Sequence, residues 1–101
     1  MKQIKMLVKQ IREEMCDAEK YAELAVKLKD EDEELSEMYY ELSKQEIKHA
    51  DLEHDQAVRL INDAKERGTE TPLAMKAVWD WEHEQAIEHR KEVEVLLKMY
   101  K

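Results

Sequence analysis

The sequence has little of the residues that break helices or cross-link chains. Among 101 residues it contains one glycine, Gly68, one proline, Pro72, and one cysteine, Cys16. A single cysteine excludes an internal disulfide, and so little glycine and proline leaves few turns for an all-β protein. No signal segment follows Met1, and no apolar run is long enough to span a bilayer. The sequence therefore predicts a cytoplasmic protein and leaves open its enclosure in a protein compartment or a phage particle.

What the sequence does have is charge. Charged residues make up 42% of the chain and apolar residues 43%, with a formal net charge of −8. Acidic proteins repel the phosphates of nucleic acids and of anionic membranes, but they attract cations. We therefore expect no nucleic-acid or membrane partner and consider metal ions the natural ligands.

Apolar residues recur at alternating steps of three and four, which is typical of amphipathic helices. Helices are predicted over about 2–29, 31–67 and 72–100. The predicted fold class is all-α, a single helical domain over 1–101 with three long antiparallel helices. Helices this long with one apolar stripe favour a fourth neighbour, so a homodimer or higher homo-oligomer is expected to complete a four-helix bundle.

The helix ends have recognisable signals. Asp30, with Glu33 three residues later, is a plausible start for the second helix, and Gly68 is suited to a left-handed cap at its end. Thr71 is predicted to cap the third helix, with Pro72 at its first position.

The spacing predicts one inner face for each helix. The predicted inner face of the first helix comprises Ile4, Leu7, Ile11, Glu14, Ala18, Tyr21, Ala25 and Leu28. That of the second comprises Leu35, Met38, Leu42, Glu46, His49, Glu53, Ala57 and Leu60. That of the third comprises Val78, Glu82, Ala86, His89, Val93, Leu96 and Tyr100, with Trp81, Gln85 and Glu88 defining a competing face.

Five polar residues interrupt these stripes and are the candidate metal ligands: Glu14, Glu46, His49, Glu82 and His89. Buried charge is costly unless it is paired or bound to a metal, and no inward-facing lysine or arginine is evident from the pattern. The Glu-x-x-His spacing of Glu46 and His49 puts both side chains on one helix face. Antiparallel pairing across the acidic turn near residue 31 brings Glu14 level with Glu46. Glu53 is instead expected at the polar margin of its helix, and His54 and His83 at the surface.

These residues resemble the ferritin-like superfamily, particularly its rubrerythrin and bacterioferritin branches. The similarity covers roughly 4–61 and rests on Glu14, Tyr21 and Ala25, followed by Glu46-Ile-Lys-His49-Ala50. The resemblance implies a site for two iron ions, with manganese as the alternative, held by carboxylates and imidazoles. It also implies a ferroxidase-type oxidoreductase activity, with ferrous iron oxidised for storage or detoxification.

The chain shows one Glu-x-x-His where that family uses two. The third helix echoes the spacing of the first, so Glu82 is one candidate for the missing carboxylate. The fourth helix, with its second Glu-x-x-His, is missing from this sequence and leaves two alternatives. One is a second copy that faces the first across a twofold axis, an arrangement that resembles the encapsulated ferritins, and the other is an incomplete site of altered function. A different class of function also stays open: a structural or adaptor bundle, of the kind phages encode, in which interior polar residues fix the oligomeric state.

Overall fold

The computed structural model describes residues 2–68 and 73–101, and the side chains of the last helix from Lys76 onward. It contains helices α1 (Lys2–Leu28), α2 (Glu33–Glu66) and α3 (Leu73–Tyr100), and these described residues include no strand. The prediction of an all-helical chain with three long helices is confirmed. The molecule measures 56 × 18 × 17 Å. None of the described helices has the length and apolar composition needed to cross a membrane.

The C-terminal end of α2 agrees with the prediction, whereas the N-terminal end corrects it. Asp32, rather than Asp30, is the N-cap, and its side chain accepts a hydrogen bond from the backbone N–H of Leu35 at 3.0 Å. The helix starts later than predicted because the chain turns through 29–31 first. Gly68 follows the C-cap with φ of 71°, the left-handed conformation expected of it. The predicted cap at Thr71 and Pro72 lies outside the described residues.

The contact between α1 and α2 depends on small residues. Every seventh residue of α2 along this contact is serine or alanine, and all are buried: Ser36, Ser43, Ala50, Ala57 and Ala64. The Ser36 hydroxyl donates to the Ala25 carbonyl at 2.6 Å, and the Ser43 hydroxyl donates to the Ala18 carbonyl at 2.7 Å. Side chains this short let the two backbones approach closely, in an antiparallel register.

The predicted inner face of α2 is therefore displaced by about one residue over the first half of the helix, whereas Ala57 is buried as predicted. Leu35 and Met38 were expected inside but are exposed, while their small neighbours line the contact. The inner face of α1 needs a smaller correction: Val8, Met15 and Ala22 are buried, and Leu7, Tyr21 and Leu28 are half-buried at its edge.

Helix α3 packs along α1 on the predicted face. Val93 is fully buried and belongs to a core cluster with Ile11 and Met15, whereas Trp81 on the competing face is exposed. Val78 is the exception, since it is also exposed.

Long side chains bridge α3 to α2. The Arg90 guanidinium is paired with the Asp51 carboxylate, and the rings of Tyr40 and Tyr100 stack with centroids 4.4 Å apart. The result is a three-helix bundle in which α1 lies closest to both neighbours.

Candidate metal centre

Three of the predicted ligands converge between α1 and α2. Glu14 extends from α1, and Glu46 and His49 extend from α2. His49 Nδ1 lies 3.2 Å from Glu46 Oε1 and 3.7 Å from Glu14 Oε2. One ligand atom from each residue lies within 4.8 Å of the other two, close enough for all three to bind one ion.

The exposure of the three side chains differs in a way that matters for metal binding. The Glu46 side chain is 17% exposed, whereas that of His49 is 53% exposed. The carboxylates are thus partly enclosed by the hairpin, and the imidazole faces outward. The group is open on the side from which an ion or a second protein surface would approach.

Electrostatics at this centre favour a cation. Burial, together with a hydrogen bond to Glu14 and the negative charge of Glu14, raises the pKa of Glu46 from 4.5 to about 7. Among the described residues, no lysine or arginine forms an ion pair with Glu14 or Glu46. Two carboxylates held this close, with the imidazole of His49 beside them but no paired lysine or arginine among the described residues, share a proton or hold a positive ion.

Glu53 also belongs to this environment, although the sequence predicted it at a polar margin. Its Oε1 atom is buried and has no hydrogen-bond partner among the described residues. Burial and the charge of Glu14 raise the pKa of Glu53, and the charge of His49 lowers it. Glu53 lies four residues after His49, a spacing that puts both on neighbouring turns of one face. That spacing was the sequence signal for its proximity to the centre.

The other two predicted ligands lie elsewhere. Glu82 is 4.0 Å from the Arg12 guanidinium, and His89 is paired with Glu19. In both pairs the α3 residue comes 70 positions after the α1 residue, because the two helices run parallel and a constant sequence offset relates neighbouring residues. Arg12 and Glu19 project about 150° around α1 from Glu14, so these pairs lie on the opposite side of the hairpin. The basic partner of Glu82 is thus an arginine whose side chain is 58% exposed, and it does not lie on the predicted inner face of α1.

The centre lies in a face of the hairpin that α3 leaves uncovered, here called the open face. On α2 it follows steps of three and four through Leu35, Met38, Leu42, Gln45, His49 and Leu52. On α1 it follows every seventh residue through Leu7, Glu14, Tyr21 and Leu28, all half-buried. The rings of Tyr21 and Tyr39 stack on this side with centroids 5.9 Å apart. Large exposed apolar residues on both sides of the ligands are typical of a surface that binds protein.

Searches of protein-family models, curated proteins and solved structures find no match to this chain. The chemistry of the centre therefore rests on its donor atoms. Carboxylate oxygens with one imidazole suit iron or manganese, whereas thiolate-rich sites suit zinc or copper(I).

Proposed function

We propose that this chain is a ferritin-like metal-binding protein that holds a pair of iron or manganese ions at Glu14, Glu46 and His49, with the site shared between two copies. The observation that carries the proposal is the convergence of these three side chains on an open face, with no described lysine or arginine paired to either carboxylate. One copy supplies two carboxylates and one imidazole. Two copies supply four carboxylates and two imidazoles, the donor set of ferritin-like di-iron sites.

The second copy is a better source of the missing ligands than the chain's own third helix. Glu82 and His89 lie across α1 from the centre and have partners there. The open face, in contrast, carries His49 among exposed leucine and methionine side chains. A twofold-related copy of this face would cover the apolar residues and bring its own three ligands to the same ions.

Ferrous iron is the proposed substrate. Two ferrous ions give one electron each, and with two protons from solvent these electrons reduce dioxygen to hydrogen peroxide, or hydrogen peroxide to two waters. The ferric product is stored or removed. Glu14 and Glu46 would hold the ions through carboxylate oxygens, and His49 would hold them through an imidazole nitrogen. The partly buried carboxylates hold the ions close together, and their negative charge stabilises the higher oxidation state.

Anaerobic titration with ferrous iron, followed by air, tests the proposal. We expect saturation at two irons per dimer and a ferric absorption band after air is admitted. Glu46→Ala should abolish the band, because it removes a carboxylate that each half of the site requires. His89→Gln is the matched control for a histidine outside the centre and should keep the band. A wild-type protein that binds no iron, or an unchanged band in Glu46→Ala, would reject the proposal.

A structural bundle is the second candidate, and one observation favours it. A carboxyl with its pKa raised to about 7, hydrogen-bonded to Glu14, can remain partly neutral inside a helical assembly. In that case Glu46→Leu should stabilise the fold. In the metal-binding case the same substitution should remove metal-dependent thermal protection.

A further inference from the structure

Two histidines outside the proposed centre face each other across α2 and α3. His54 Nε2 lies 3.4 Å from His83 Nδ1. The sequence predicted both at the surface, but they are half-buried and line a groove of about 380 Å³ between the helices. They are on the α3 side of the molecule, away from the open face.

The separation of the two nitrogens fits a shared metal ion. Zinc binds imidazole nitrogen at about 2.0–2.1 Å with tetrahedral angles, so two such ligands lie about 3.3–3.4 Å apart. Donor–acceptor distances in hydrogen bonds from N–H groups are shorter, about 2.7–3.2 Å. The imidazoles are thus spaced for a bridging ion better than for a direct hydrogen bond.

Trp79 holds both rings in position. The His54 ring stacks on the indole with centroids 5.7 Å apart and an interplanar angle of 29°. The His83 ring meets the same indole edge-on, also at 5.7 Å, with an angle of 81°. Ligands held by packing before the ion arrives lose less conformational entropy on binding. Asp55 Oδ1 lies 3.8 Å from His54 Nδ1, which is beyond hydrogen-bond distance, and adds negative charge near the ring.

We propose that His54 and His83 form a second metal site, one that binds zinc and clamps α3 to α2. The groove leaves the other two tetrahedral positions open to water. Helices α2 and α3 are joined mainly by long side chains. An ion bound by one ligand from each helix would stabilise this contact, because the ion binds only when the two helices are packed together. This site uses none of the residues of the proposed iron centre.

Zinc titration of a Glu46→Gln/His49→Gln background tests the inference separately from the proposed function. With the first centre disabled, we expect one zinc ion per chain by calorimetry and a rise in Tm of at least about 5 °C at saturating zinc. His54→Gln and His83→Gln should each lower the zinc affinity at least about tenfold, because only one imidazole remains. Amide hydrogen exchange in α3 should slow with zinc in the background protein and not in His83→Gln.

His89→Gln in the same background is the control, since His89 is paired with Glu19 on α1. It should bind zinc as the background protein does. Far-UV circular dichroism of each variant without metal checks that the helices are intact, and cobalt(II) spectra provide a second measure of binding. Zinc affinity unaffected by both His54→Gln and His83→Gln, or no zinc bound by the background protein, would overturn the inference. Neither result bears on iron binding by the wild type.

Discussion

Glu46 connects the stability of the folded chain to its proposed ligand. Its pKa is raised from 4.5 to about 7, first by burial and then by Glu14, so the folded protein binds a proton here more tightly than the unfolded chain does. Stability from this group is present below pH 4.5 and is lost as the pH rises through about 7. Metal binding requires the deprotonated carboxylate and therefore follows the opposite trend.

We predict that Glu46→Gln makes the metal-free protein less sensitive to pH. Glutamine keeps the shape and cannot ionise, so at pH 8 the variant should be more stable than the wild type by on the order of 1 kcal/mol, reduced by solvent screening. At pH 5 the two proteins should differ little. Urea unfolding in the presence of chelator at both pH values measures the difference. A wild type that becomes more stable from pH 5 to 8 relative to Glu46→Gln would contradict the assignment.

At the same scale, the sequence predicted part of the centre and missed part. Glu46 and His49 share a helix face by spacing alone, and the short acidic turn fixes Glu14 opposite them. Glu82 also lies on the predicted inner face of its helix, but its neighbours depend on how far α3 is shifted along α1. That offset puts Arg12 beside it and is not encoded in any local pattern.

At the level of helices, the sequence predicted where each helix begins and ends better than it predicted which face of the helix is buried. Helix length follows from composition, and Gly68 ends α2 as expected. The buried face of α2 was not predictable from hydropathy, because a stripe of large apolar residues runs beside a stripe of small residues on this helix. The larger apolar residues, such as Leu35 and Met38, have the stronger hydropathy signal, but small residues such as Ser43 allow the close approach to α1.

We predict that Ala50→Leu destabilises the α1–α2 hairpin. Ala50 is buried in the cluster formed with Ile11 and Met15, and a leucine there would force the helices apart or into strained side-chain conformations. Overpacking of this kind costs about 1–3 kcal/mol, measurable by urea unfolding.

Lys48→Leu is the control for Ala50→Leu, because it adds the same side chain at an exposed position of the same helix. Its effect should stay within about 0.5 kcal/mol. Equal stability of Ala50→Leu and the wild type would mean that α1 and α2 do not pack as closely as the serine hydrogen bonds indicate.

At the level of the whole molecule, the three helices of the described chain leave one side of the α1–α2 hairpin without a neighbouring helix. Its length of 56 Å and its narrow section of about 18 Å leave much of each helix near solvent. The exposed apolar side chains of the open face lie on both sides of His49, so the same association that covers them would complete the proposed metal site. Assembly and metal binding are therefore expected to be coupled, each strengthening the other.

We predict that Met38→Glu disrupts the proposed dimer, whereas Met99→Glu does not. Both methionines are exposed, at 44% and 59%, but Met38 lies on the open face of α2 and Met99 lies on α3. A glutamate at position 38 would put a charge among the apolar side chains that a second copy covers, and burying an unpaired charge is costly. Sedimentation with and without ferrous iron under anaerobic conditions should show dimers for the wild type and Met99→Glu.

Met38→Glu should sediment as a monomer of unchanged helicity and bind iron at least about tenfold more weakly, because each site then has half of its ligands. Identical sedimentation of the two variants would exclude the open face as the dimer interface.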